Sequence, residues 1–252
     1  MLSACCFAWI VVSSMVLSLA GLAAVWVLTR PPSVVHSVKG KRILITGAAM
    51  GIGKEMALRF AAEGAHLVLW DINLQQLQIA KEEIEKQTAG AVVHVYKCDV
   101  TDRDAVLACG REVEEELGES HVEVLVNNAG VVSGKQLLEL SERDIRRTFA
   151  VNVLAHFWTV QAFLPRMLER DSGQVVTIAS TCGIFGAVGL SDYCASKHAV
   201  MGFHESLRLE IRRKKKPGVS TTVICPNKIN TGMFDGAEQN LQWLLPVLAP
   251  GE

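Results

Sequence analysis

From Lys41 onward the chain alternates between two kinds of stretch. Short, nearly unbroken apolar runs occupy Arg42–Ile45, His66–Trp70, Val92–Lys97, Val122–Val126, Gln174–Ile178 and Thr221–Cys225. Between them lie longer stretches, such as Leu74–Gln87 and Asp102–Leu117, in which apolar residues recur every three or four positions. The short runs have strand length and are rich in aliphatic and β-branched residues. A strand with one solvated face would alternate apolar and polar side chains. These do not, which predicts a parallel sheet with helices on both faces. The βαβα rhythm predicts an α/β fold with a doubly wound sheet.

The first 29 residues follow another pattern. No charged side chain appears before Arg30, and Ala4–Thr29 is an apolar run of 26 residues. As a helix it would span about 39 Å, more than the roughly 30 Å of a bilayer's hydrocarbon core. A cleaved signal peptide would carry a basic start and a shorter apolar segment. The run therefore predicts an uncleaved N-terminal membrane helix at 1–29. Arg30, Lys39, Lys41 and Arg42 follow, and no acid appears until Glu55. This bias places the rest of the chain on the cytosolic side. Trp9 and Trp26 lie near the two ends of the run, where interfacial aromatics belong. Pro31-Pro32 breaks the helix and opens a linker over 30–40, leaving 41–252 as one globular domain.

Composition excludes several function classes. The net charge is −1, from 25 basic and 26 acidic residues that are mixed along the chain. No one-sided basic surface suited to nucleic acid is indicated. The seven cysteines are scattered, and no spacing resembles a zinc site or a CxxC pair. They read as free, mostly buried thiols in a reducing compartment, with no metal. Glu112 and Glu114–Glu116 read as a solvated helix face. Arg212–Lys216, just before Pro217-Gly218, reads as the basic last turn of a helix.

The candidate chemistry begins after the first strand, at Thr46-Gly47-Ala48-Ala49-Met50-Gly51-Ile52-Gly53. Glycines permit a tight turn and close backbone approach to a pyrophosphate, and the helix that follows offers free N–H groups. The expected fold is thus Rossmann-like. Eighteen residues past Gly53, at the end of strand two, stands Asp71. Its carboxylate can accept hydrogen bonds from ribose hydroxyls and would repel a 2′-phosphate, so NAD is expected over NADP. Capping of the next turn is the plainer role for such a residue. Lys54 is a nearby cation that softens the preference. Asp99-Val100 closes strand three and Asn127-Asn128-Ala129-Gly130 closes strand four. All these segments fall at the carboxyl edge of the sheet, where open α/β folds bind ligands.

Tyr193-Cys194-Ala195-Ser196-Lys197 places a phenol and an ammonium one helical turn apart. A cation roughly 4 Å from the phenol, at an effective dielectric of roughly 20, contributes about 4 kcal/mol. That is about three pKa units, enough to bring an ordinary tyrosine close to neutrality. Tyr193 is thus the candidate proton acceptor. Ser180, thirteen residues upstream at the end of strand five, can hydrogen-bond the reacting oxygen. Asn152, flanked by Val151 and Val153, must find partners if buried, and is expected to order a water linking Lys197 to solvent.

TGxxxGxG, NNAG, Asn152, Ser180 and YxxxK, in this order from about Lys39 to Thr231, resemble the short-chain dehydrogenase/reductase family. The resemblance implies a catalytic tetrad of Asn152, Ser180, Tyr193 and Lys197, with Ser180 and Tyr193 touching the substrate. It implies a cofactor site built from Gly47, Met50, Gly51, Ile52, Gly53, Asp71, Asn128, Ala129 and Gly130. Asp99-Val100 would hold the adenine and Lys197 the nicotinamide ribose, beside Tyr193. Pro226, Ile229 and Thr231 would position the nicotinamide. LVLWDIN (67–73), LVNNAGVVSG (125–134), AHFWT (155–159), AFLPRMLE (162–169), DYCASKHAVMGFHESL (192–207) and TGMF (231–234) are similar to the membrane-anchored 16C group of retinol and 17β-hydroxysteroid dehydrogenases. This implies a hydrophobic alcohol such as all-trans-retinol as substrate, membrane lipid as a partner, and the endoplasmic reticulum or a lipid droplet as location.

Two departures stand out. Asn227 follows Pro226 where the wider family usually has glycine. The chain also stops at Glu252, before the last helix and strand that help close the pocket and often form the homodimer contact. A C-terminally short fold with one uncovered sheet edge is therefore expected. The alternatives to a retinol dehydrogenase are a 17β-hydroxysteroid dehydrogenase, an NADP-dependent carbonyl reductase, or an inactive membrane or lipid-droplet protein that keeps the fold.

Overall fold

The computed structural model describes residues 37–227 and 229. The expected membrane helix, most of the linker, Thr231 and the remaining C-terminal stretch lie outside the described residues. No helix among the described residues is long and apolar enough to cross a membrane.

Six strands form one parallel sheet: β1 (Arg42–Thr46), β2 (His66–Asp71), β3 (Val92–Lys97), β4 (Val124–Asn127), β5 (Gly173–Ile178) and β6 (Val219–Ile224). Their spatial order is β3-β2-β1-β4-β5-β6. The connecting helices are α1 (Gly51–Ala62), α2 (Leu74–Gln87), α3 (Arg103–Leu117), α4 (Glu142–Phe149), α5 (Ala155–Arg170) and α6 (Ser191–Arg213). A π-helical turn, Ala150–Leu154, joins α4 to α5.

Each strand sends alternate side chains to opposite faces, and in β1, β2 and β4 both faces are buried, while the edge strands β3 and β6 are only partly covered. Ile43, Ile45, Leu67, Leu69 and Val126 pack with Ala57 and Ala61 of α1 and Leu77 and Ile84 of α2. Leu44, Val68, Trp70, Leu125 and Val175 pack instead with α3, α5 and α6, through Val106, Val113, Phe163, Met167, Leu207 and Ile211. That double burial is why the strands read as unbroken apolar runs. Side chains cap three helix starts. Asn73 accepts from Gln76 N, Asp102 accepts from Asp104 N and Ala105 N, and Ser141 accepts from Asp144 N.

Strand boundaries match expectation at β3, differ by one residue at one end of β1, β2 and β5, and shift most at β4 and β6. β6 begins at Val219, directly after the Pro217-Gly218 turn, and ends before Cys225 because Pro226 cannot continue a ladder. β4 is shifted toward the cleft and ends at Asn127. The acidic run on α3 is solvated as expected at Glu112, Glu115 and Glu116, and Glu114 is the exception. Glu114 is half-buried, ion-paired with Arg166 at 3.2 Å, and burial raises its carboxyl pKa. Glu116 is held by Tyr96 and His94. The five described cysteines are free, and Cys98, Cys182 and Cys194 are buried.

Trp70 and Phe163 meet with ring centroids 5.5 Å apart in the core under β2. Phe163→Ala should lower the unfolding free energy by about 3–5 kcal/mol, read from the urea midpoint of the domain.

Candidate active site

The carboxyl ends of the strands open onto a cleft of about 760 Å³. It is lined by Gly47, Met50, Gly51, Ile52, Asp71, Asp99, Val100, Asn128, Ala129, Gly130, Ser180, Tyr193, Lys197, Pro226 and Ile229. The expected cofactor and reacting residues are therefore brought together, with three exceptions. Thr231 is outside the described residues. Gly53 and Asn152 stand behind the wall.

The glycine loop explains its own composition. Gly47 has φ +65°, and a Cβ there would lie 2.9 Å from Ala129 Cα. A Cβ on Gly53 would lie 2.1 Å from the Gly47 carbonyl oxygen. Only glycine lets the turn close this tightly. Unlike α2, α3 and α4, helix α1 starts with no side-chain cap at Met50, and unlike α3 and α4 it has no acid in its first turn. Its leading N–H groups suit an anion. The donors and the cramped turn fit a pyrophosphate, so the cleft fits a dinucleotide.

Asn128 holds this loop from the neighbouring strand end. Its side-chain amide donates to the carbonyls of Thr46 at 2.9 Å and Gly47 at 3.0 Å. Thr46 Oγ1 in turn accepts from the backbone of Asn128 and Ala129. Thr46 sits in the quoted motif, yet its brace role was not foreseen. Asp71 has the plainer role weighed for it and also lines the cleft. It caps the following turn by accepting from Asn73 N, accepts from Ala49 N in the loop, and still faces the cleft. The ammonium of Lys54 is paired with Glu83 at 2.9 Å.

Tyr193, Ser180 and Lys197 are all buried. The Lys197 ammonium stands over the Tyr193 ring, 5.6 Å from its centroid, and donates to the Ile178 carbonyl at 2.9 Å. Ser180 Oγ accepts from Cys182 N and hydrogen-bonds the Tyr193 phenol. The electrostatics correct the simple estimate from spacing. Burial pushes the phenol up to about 12, with the Ser180 hydrogen bond pulling it down. Burial also pushes Lys197 down to about 8. Desolvation outweighs the single cation, so the phenol does not sit near neutrality in the protein alone.

Asn152 finds the partners that burial requires: Oδ1 accepts from Val131 N at 2.8 Å, while Nδ2 donates to Val131 O at 2.9 Å and Ser196 Oγ at 3.0 Å. Its side chain clamps the loop after β4 to α6. Ser196 lies inside the YxxxK motif, and its packing role could have been anticipated from the buried face that motif implies.

With this geometry in hand, comparison with known proteins is direct. A family profile described as short chain dehydrogenase matches residues 41–242. The chain belongs to the short-chain dehydrogenase/reductase family. It is 45% identical over 221 residues to short-chain dehydrogenase/reductase family 16C member 6 of Bos taurus, covering 86% of this chain and 68% of that one. It is 44% identical over 217 residues to epidermal retinol dehydrogenase 2 of Homo sapiens, covering 85% and 68%. Among solved structures, a short chain dehydrogenase/reductase from Burkholderia phymatum in complex with NAD is similar, with TM-score 0.75, 32% identity, and coverage of 86% and 76%. The chain falls in the 16C group and is an NAD(P)-dependent oxidoreductase.

The buried lysine yields a stability test. Its folded pKa, about 8, lies below the ordinary 10.5. Lys197 therefore costs stability fully below about pH 8, and that cost disappears above about 10.5. Unfolding titrations should show Lys197→Met gaining on the parent at pH 7 by an amount on the order of 3 kcal/mol larger than at pH 10.5.

Proposed function

We propose that this protein oxidises a hydrophobic alcohol, all-trans-retinol, to its aldehyde with NAD as hydride acceptor. One observation carries the reading: Ser180, Tyr193 and Lys197 line the same cleft as the glycine loop and Asp71. The substrate class draws on the similarity to a retinol dehydrogenase and on the aliphatic wall made by Val131, Val132, Val151 and Leu190.

Bound nicotinamide dinucleotide supplies the hydride acceptor and a positive charge beside the phenol. Asp71 faces the adenosine ribose, where its carboxylate disfavours a 2′-phosphate. Ser180 Oγ donates to the alcohol oxygen and holds it against Tyr193. Tyr193 reacts as the phenolate, its own proton first released to solvent; its oxygen takes the hydroxyl proton as the carbon loses hydride, so alcohol minus hydride and proton leaves the carbonyl. Lys197 holds the ribose and lends its charge to the phenolate. Burial makes this help necessary, since the phenol alone rests at about 12. Asn152 keeps the wall beside Gly130 and Val131 in place. The uncharged run before Arg30, with its basic flank, supports an anchor in the endoplasmic reticulum membrane or on a lipid droplet with the domain facing the cytosol.

The test uses membranes carrying the full chain with NAD and all-trans-retinol, following NADH and retinal. Tyr193→Phe should lower kcat by at least about 100-fold, as loss of a proton acceptor does. Equal turnover by parent and variant would sink the assignment. In binding measurements the parent should prefer NAD. Asp71→Ala should weaken NAD by roughly 10-fold, the scale of one charged hydrogen-bond acceptor, and narrow the gap to NADP. Tighter NADP than NAD binding by the parent would overturn the cofactor choice.

A further inference from the structure

Asp192 stands immediately before Tyr193, in the first turn of α6, and is 5% exposed. No ion pair to it is found among the described residues. Its Oδ2 accepts from Thr148 Oγ1 at 2.7 Å and from Ser133 Oγ at 2.8 Å. Its Oδ1 has no hydrogen-bond partner among the described residues. Burying a carboxylate with one oxygen unpartnered is unfavourable, and an apolar residue would fill this place at less cost. A residue kept under those terms is doing something other than filling space.

The two hydroxyls come from different parts of the wall. Thr148 is on α4, one turn before the π-helical segment that holds Asn152. Ser133 is on the loop after β4, two residues past Val131. Asn152 makes the matching tie: from the helix side it grips Val131 on the same loop and Ser196 on α6. The positions pair by spacing, with 131 and 133 on the loop, 148 and 152 on the helix, and 192 and 196 on α6. Tyr193 sits between the two ties. Leu190, at the entry to α6, is buried against Cys182, Tyr193 and Cys194, an apolar contact with little directionality. Leu190 provides no side-chain cap, and Ile184, Phe185 and Val188 in the preceding loop are exposed.

We propose that Asp192 is a positioning residue for the reaction: through Thr148 and Ser133 it fixes the first turn of α6 against the cleft wall and sets where the Tyr193 phenol points. This rests on the reading of Tyr193 as proton acceptor. Short bonds from two hydroxyls to one charged oxygen are directional, and the N-terminal turn of the helix favours the negative charge. A small misplacement of the phenol harms proton transfer more than it harms binding, because the transfer needs near-contact geometry while most of the dinucleotide would be held by the glycine loop and Asp71.

The test compares the full chain in membranes with Asp192→Ala, Asp192→Asn, Ser133→Ala and Tyr193→Phe, measuring kcat, retinol KM and NAD affinity. Asp192→Ala should lose at least roughly 10-fold in kcat with KM and NAD affinity within about twofold, the signature of a lost orienting contact. Asp192→Asn keeps an acceptor for both hydroxyls and should recover at least about a third of the parent kcat. Ser133→Ala should show a smaller kcat loss of the same kind. Parent-like kcat in Asp192→Ala overturns the proposal, as does a KM or NAD-affinity loss that accounts for the whole effect. If Asp192→Ala fails to fold cooperatively, an unchanged kcat in Ser133→Ala overturns it. Activity surviving in Tyr193→Phe would instead defeat the assignment of Tyr193, leaving the two failures distinguishable.

Discussion

β1 and β4 lie side by side although β2 and β3 intervene in the chain. The connection from β2 runs outward to one edge of the sheet, and the chain then returns across it to start β4. Helices leaving β1 and β4 must therefore go to opposite faces, and the backbone parts between them. That parting is the crevice in which the glycine loop, the NNAG segment and the end of β5 face one another. Everything chemical here depends on holding it at a fixed width. Asn128 does so at the bottom, by bonding the carbonyls of Thr46 and Gly47 across the two strands.

Much of this architecture was readable from letters alone, for a definite reason. A strand buried on both faces has few alternatives to an aliphatic run, and a turn closing onto a backbone oxygen has no alternative to glycine. Leu74–Gln87 was placed to the residue because Asn73 caps one end of a clear amphipathic period. The remaining features depend on three-dimensional neighbours. Nothing in the local sequence says that Lys54 will find Glu83, or that Glu114 will be drawn under Arg166. Asn152 was legible as a residue needing partners, while the identity of those partners, Val131 and Ser196, arises from the packing of three separate segments.

The same limit governs the chemistry. Spacing shows that a lysine and a tyrosine share a helix face, and Coulomb's law then gives the attraction in a chosen dielectric. It cannot give the desolvation, which depends on how completely the rest of the protein encloses both groups. Here enclosure dominates, moving the phenol up and the ammonium down. The site therefore holds two groups, each displaced toward its uncharged form. Their ionisation is then coupled to whatever positive charge enters beside them, which links proton transfer to occupancy of the cleft.

The π-helical turn between α4 and α5 carries a consequence of its own. A five-residue hydrogen-bond spacing accommodates one residue more than an α-helix of the same length, so the side chains on either side are offset by about 100° from the positions a continuous helix would give them. Thr148 and Asn152 reach inward before and within this turn, while Thr159 beyond it reaches Asn127. Removing one residue from Ala150–Leu154 would leave a smooth rod whose two halves no longer aim at the same neighbours. The length of this stretch is thus as constrained as the identity of Asn152 within it.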